Sequence, residues 1–163
     1  MCGICGTLNL TKDHKIDGDL LRGMTQILRH RGPDEFGIYK GPDIGMCHTR
    51  LSIIDLKGGQ QPIHNENSTV WIAFNGEIFN YIELREELLK KGHKFYTKSD
   101  TEVLVHLYEE KGTRFLNELN GQFAFAIWDS KARRLMLARD RLGIRPLFYT
   151  VTDGSLLFAS EIK

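Results

Sequence analysis

The most reactive arrangement in the chain is its first six residues, Met1-Cys2-Gly3-Ile4-Cys5-Gly6. A cysteine after the initiator methionine is small enough for the methionine to be trimmed. That would leave Cys2 carrying a thiol and a free α-amine on one skeleton. An α-amine titrates at about 7.7–8.0 and a cysteine at about 8.5, so the pair can act together around neutral pH. The thiolate is the attacking species and needs a base close by to take its proton. A terminal cysteine supplies both, provided the chain end is held in a cleft and does not fray. The run Ile4–Leu10 reads as a strand that would hold it. On position alone, an ordinary cysteine near an unprocessed start is the simpler reading.

Three other places have the right chemistry for an amino-acid substrate. Arg50 sits in a strand-like run, where it is either solvated or offers its planar fork to a carboxylate. Asn75-Gly76 is the preferred dipeptide of a two-residue hairpin turn, and local sequence favours that role. Its alternative is an oxyanion site built from the Asn75 side-chain amide and the Gly76 backbone N–H. Asp100 is a good helix N-cap, or an acceptor for a substrate ammonium. If these converge, Arg50 takes an α-carboxylate, Asp100 an α-amino group, and Cys2 attacks a side-chain carbonyl. Spacing alone does not bring them together.

The elements that must position these residues follow from periodicity. Asp17–Arg29 has helical apolar spacing at Leu20, Leu21, Met24, Ile27 and Leu28. Arg29-His30-Arg31-Gly32-Pro33-Asp34 is a polar turn segment, followed by strands around Gly45–His48 and Arg50–Asp55. Val70–Phe74 is β-branched and aromatic and reads as a strand ending at Asn75-Gly76. Asn80 is placed to cap a helix to Lys91, with Glu83 as capping-box partner and Gly92 beyond its end. Ser99 or Asp100 caps the next helix, whose apolar face is Val103, Leu104, Leu107 and Tyr108. A short helix is expected over Arg114–Leu119. Strands are expected over Phe123–Asp129, Leu135–Arg139, Leu147–Thr150 and Leu156–Ser160. Phe123-Ala124-Phe125-Ala126-Ile127-Trp128 is apolar on both faces, so it belongs between a second sheet and a helix layer. The pattern predicts a layered α+β sandwich.

Composition narrows the function classes. With 163 residues and 41% apolar content the chain fits one domain with a real core. A net charge of +1 gives no electrostatic footprint for nucleic acid or an anionic membrane, so neither partner is expected. The longest apolar run, Phe123 to Trp128, falls far short of a membrane span, and no signal peptide pattern is visible. Three cysteines make no disulfide framework, and a cytoplasmic protein is the natural reading. There is no Gly-Lys dipeptide for a phosphate loop, no G-x-G-x-x-G and no G-x-S-x-G. Cys2-x-x-Cys5 lacks the further cysteine or histidine pair of a zinc site and the βαβ setting of a redox motif, so no metal is expected.

Nine ordered segments resemble the class II glutamine amidotransferase family, in its asparagine synthetase branch. They are CGICG at 2–6, RHRGPD at 29–34, HTRLSIIDL at 48–56, GGQQPI at 58–63, NGEIFNY at 75–81, SDTEVL at 99–104, NGQFAFAIWD at 120–129, RDRLGIRPLFY at 139–149 and FASEIK at 158–163. The resemblance implies a four-layer αββα sandwich of two mainly antiparallel sheets, of the N-terminal nucleophile hydrolase type. It also implies hydrolysis of glutamine to glutamate and ammonia over a domain spanning 1–163. By that likeness Cys2 is the nucleophile, with its own α-amine as base. Asn75 and Gly76 serve the oxyanion, while Arg50, Leu51, Ile53, Glu77 and Asp100 bind glutamine.

Family chains normally continue into an ATP-using synthetase domain, whose Ser-Gly-Gly-x-Asp-Ser loop is absent from this sequence. The implied partner is therefore a C-terminal synthetase domain or subunit that makes asparagine from aspartate. ATP and magnesium are expected there, and no cofactor in this domain. A different acceptor synthetase, such as one that modifies a sugar, and a glutamine sensor that does not hydrolyse remain alternatives. A homodimer stays open, because sequence identifies no exposed apolar patch. If Met1 is retained, the Cys2 amine is locked in a peptide bond and the base is missing.

Overall fold

The computed structural model describes residues 1–11, 15–52, 55 and 58–163. Among the described residues, nine strands form two antiparallel sheets. The first, ordered β2-β3-β1-β9-β8, contains β1 (Gly3–Asn9), β2 (Glu35–Lys40), β3 (Ile44–Arg50), β8 (Phe148–Thr152) and β9 (Ser155–Ala159). The second, ordered β4-β5-β6-β7, contains β4 (Ile63–His64), β5 (Val70–Ile78), β6 (Gly121–Asp129) and β7 (Arg134–Arg139). Helix α1 (Gly18–Ile27) covers the outer face of the first sheet. Helices α2 (Tyr81–Lys90) and α3 (Asp100–Lys111) cover the second, followed by a 3₁₀ helix at Gly112–Glu118.

Strand alternation sets up these layers. In β6, Phe123, Phe125 and Ile127 point to the helices and pack with Phe115, Leu104 and Val103. Ala124, Ala126 and Trp128 point the other way, into the gap between sheets, where they meet Ile4, Ile44, Met46 and Phe158. Phenylalanine and isoleucine thus face the helices, while Ala124 and Ala126 leave room for the large side chains of the first sheet. On the opposite side of the first sheet, Cys5 and Cys47 pack with Leu21 of α1 and with Leu28 just past its end. The expected αββα sandwich is the observed one.

Several local expectations are corrected. β3 ends at Arg50, so no strand runs over 50–55 among the described residues, and β2, which sequence missed, pairs along its whole length. β2 alternates half-buried and exposed residues at a sheet edge, which gives it a weak apolar signal. In α1 only Leu21 of the expected apolar face is buried, with Leu28 just beyond; Leu20 and Ile27 point to solvent. Asn80 makes no cap hydrogen bond to α2. Its amide instead donates to the Glu118 carbonyl at 2.9 Å and accepts from the Asn120 N–H at 3.0 Å, tying α2 to the start of β6. No capping box forms with Glu83.

Candidate active site

Parity along the strands brings the predicted residues to one place. Cys2 precedes β1 and continues the alternation of Ile4, so its side chain lies on the inter-sheet side. Arg50 does the same two residues after His48, and Asn75 two after Ala73. A cavity of about 160 Å³ opens at this end of the gap, lined by Cys2, Arg50, Leu51, Asn75, Gly76, Glu77 and Asp100 among others. Seven of the eight predicted site residues are therefore together. The eighth, Ile53, lies outside the described residues. Cys5, an odd number of residues from Cys2, faces α1 instead, so the C-x-x-C thiols sit on opposite faces of the sheet.

The chain end is fastened. The Arg31 Nε–H donates to the Cys2 carbonyl at 3.0 Å, and its guanidinium pairs with Glu161 at 3.0 Å. The Leu51 N–H donates to Cys2 Sγ at 3.4 Å. Burial pushes the thiol up from its ordinary range, and Asp100 adds to that. The Leu51 N–H, the terminal ammonium and Arg50 pull the other way. This thiol is held in place but is not spontaneously ionised, so it needs a base.

Asn75-Gly76 is not a turn. β5 runs through it to Ile78, and Asn75 pairs with Ala124 while Gly76 pairs with Phe123. A Cβ on Gly76 would sit 2.2 Å from the Gln122 carbonyl oxygen, so only glycine permits this strand approach. The Asn75 side chain is 1% exposed, yet its Nδ2 finds no hydrogen-bond partner. A buried amide N–H left without an acceptor costs about 1–3 kcal/mol, which marks it as waiting for a ligand oxygen. Along the same strand edge, the Phe74 N–H donates to Gln61 Oε1 at 2.7 Å and the Ile78 N–H to Asp100 Oδ2 at 3.0 Å. Alternation directs the Gly76 N–H to that edge, between the two.

Arg50 is buried, with one arm on Glu35 at 2.7 Å and the other on the Asp55 carbonyl at 2.6 Å. Asp100 is the first residue of α3 and not its cap; Ser99 caps, accepting from the Thr101 N–H at 3.2 Å. Burial raises the Asp100 carboxyl, partly offset by the Ile78 N–H and Ser99. Glu77 is exposed at the rim.

Three contributors escaped sequence reasoning. Gln61, followed by a cis peptide to Pro62, holds β5 and also reaches Thr101 at 3.3 Å. Arg145 lines the cavity and touches the Met1 sulfur. His48 crosses the gap to donate from Nε2 to the Phe74 carbonyl at 3.0 Å, leaving Nδ1 without a partner. Only the side-chain parity of β3 could have pointed to His48.

A family model described as a glutamine amidotransferase domain matches residues 1–163. The chain belongs to that family. As a glutamine amidotransferase domain it is 46% identical over 165 residues to glutamine-hydrolyzing asparagine synthetase 2 of Bacillus subtilis, and 44% identical over 164 residues to glutamine-hydrolyzing asparagine synthetase 2 of Arabidopsis thaliana. Both matches cover 100% of this chain but only 22% and 28% of the relatives, so the domain spans about a quarter of their length. Among solved structures, glutamine phosphoribosylpyrophosphate amidotransferase from B. subtilis superposes with a TM-score of 0.76 at 24% identity, over 98% of this chain and 42% of that one. A structure described as the allosteric regulatory enzyme of purine biosynthesis gives 0.79 at 24%, with the same coverage. These two show a shared fold. No helix among the described residues is long and apolar enough to cross a membrane.

Proposed function

We propose that this domain hydrolyses glutamine to glutamate and ammonia through a thioester on Cys2, and passes the ammonia to a synthetase that makes asparagine. The observation that carries the reading is the unpartnered Asn75 amide, buried in the cavity that holds the Cys2 thiol. Cys2 Sγ attacks the side-chain carbonyl carbon of glutamine. The thiol proton passes through the freed α-amine to the leaving nitrogen, which departs as ammonia. Asn75 Nδ2 and the Gly76 N–H hold the oxyanion, and water then cleaves the thioester to glutamate and thiol. Asp100 receives the substrate ammonium. Arg50 receives its α-carboxylate, in competition with Glu35.

The base exists only after Met1 is removed. Met1 is 53% exposed, which leaves it open to an aminopeptidase. The acceptor rests on the names of the two sequence relatives above, both glutamine-hydrolyzing asparagine synthetases; ATP, magnesium and aspartate would belong to that partner. The test is intact mass before and after an electrophilic glutamine analogue. Loss of Met1 and a single adduct on Cys2, with ammonia released from glutamine, is expected. A processed chain that binds glutamine but takes no label would overturn hydrolysis in favour of glutamine sensing.

A further inference from the structure

Away from the cavity, four ligating side chains from three segments converge beside α3. Glu66 comes from the β4–β5 connection, His93 from the loop after α2, and His106 and Glu109 from successive turns of α3. Their ligand atoms all lie within 4.8 Å of one another. His93 Nδ1 is 3.5 Å from Glu66 and 4.0 Å from Glu109; His106 Nδ1 is 3.5 Å from Glu66 and 3.3 Å from Glu109. Tetrahedral zinc with bonds of about 2.0–2.1 Å has ligand-to-ligand edges of roughly 3.3–3.4 Å. The His106–Glu109 separation already matches that figure, the two Glu66 separations, one to each carboxylate oxygen, are within about 0.2 Å of it, and His93–Glu109, at 4.0 Å, must draw in when an ion binds.

We propose that this protein binds one divalent transition metal ion, zinc by preference, through Glu66, His93, His106 and Glu109. Two imidazoles and two carboxylates suit zinc. Four protein ligands fill a tetrahedron and leave no open position, so the ion is structural.

Surrounding hydrogen bonds orient three of the four ligands, Glu66, Glu109 and His93, as metal sites require. The Lys94 N–H donates to Glu66 Oε1 at 2.9 Å. The Asn65 amide donates to Glu109 Oε1 at 2.7 Å, leaving Oε2 to face the imidazoles. Both histidines turn their second nitrogen to a carboxylate: His93 Nε2 to Glu110 at 3.2 Å, and His106 Nε2 to Glu102 at 3.7 Å. His106 is fully buried, and its Nε2 has no hydrogen-bond partner. An ordinary solvated ion-pair cluster has no need of a buried imidazole or of carboxylates behind both rings. Sequence spacing gives little warning of the site, since only His106-x-x-Glu109 is local. The ion would staple the α2–α3 loop and the β4–β5 connection to the helix whose first residue is Asp100.

The test takes the whole chain, stripped with a chelator, and titrates zinc against a chromophoric competitor, with cobalt as a spectroscopic substitute. One equivalent should bind, raise Tm, and give a tetrahedral cobalt spectrum without a thiolate charge-transfer band. Glu110→Gln should weaken zinc about 10-fold and His93→Ala well beyond that, with circular dichroism confirming that both fold. Absence of stoichiometric binding at micromolar zinc overturns the proposal. So does affinity unchanged in His93→Ala and Glu66→Gln, or a thiolate band that places the metal on cysteine.

Discussion

At the scale of single residues, two buried polar side chains stand out for an atom with no hydrogen-bond partner, one lining the cavity and one in the gap between the sheets. Asn75 Nδ2 is one. Replacing Asn75 with alanine should cut kcat for glutamine by about 10²–10³, the usual effect of losing one oxyanion donor, while KM moves little. Steady-state kinetics on the processed enzyme checks this. Arg50→Lys should do the reverse, raising KM about tenfold or more, because a point charge loses the two-pronged grip on a carboxylate.

The other group is His48. Burial, with Arg50 nearby and only the Phe74 carbonyl in opposition, lowers it from 6.5 to about 3. A folded-state value below the unfolded one means that stability is complete above pH 6.5 and is lost as pH falls toward 3. The slope approaches about 1.4 kcal/mol per pH unit. Thermal melts between pH 7 and 5 should show this fall, and His48→Gln should flatten it. Cys2 and Arg50, which both line the cavity, were legible as candidates from residue type. His48 was not, because nothing local distinguishes a buried histidine from a surface one.

At the scale of elements, sequence located the three α-helices and the strands of the core, but missed the edge strand β2 and went wrong where tertiary partners override local habit. Asn75-Gly76 has the composition of a hairpin turn, yet pairing with β6 carries the strand straight through it. The resemblance to the amidotransferase family pointed to the cavity, where both residues lie, whereas local propensity favoured a turn. Asn80 and Glu83 have the spacing of a capping box, but Asn80 is drawn away by Glu118 and Asn120. The two substitutions should therefore differ. Asn80→Ala should lower stability by about 1–2 kcal/mol through two lost hydrogen bonds, while Glu83→Ala, exposed and without that role, should be near neutral. Urea denaturation measures both; equal losses would restore the capping box.

At the scale of the whole molecule, the αββα order was legible because β6 is apolar on both faces and so had to lie inside. The convergence of the site was not, since it depends on how two sheets are set against each other. Cys2 is carried by one sheet and Asn75 by the other, and between them lie Ala73, Ala124 and Ala126 from one side against Ile4, Met46 and Phe158 from the other. The clearance between Cys2 and Asn75 is thus set by shims that do not line the cavity. A thicker shim, Ala124→Val, should cost about 1–3 kcal/mol in stability and a larger share of turnover. A thinner one on the facing sheet, at Met46, should win part of that turnover back. Suppressor pairs across the gap would then map the machining tolerance of the active site, using positions that never meet glutamine.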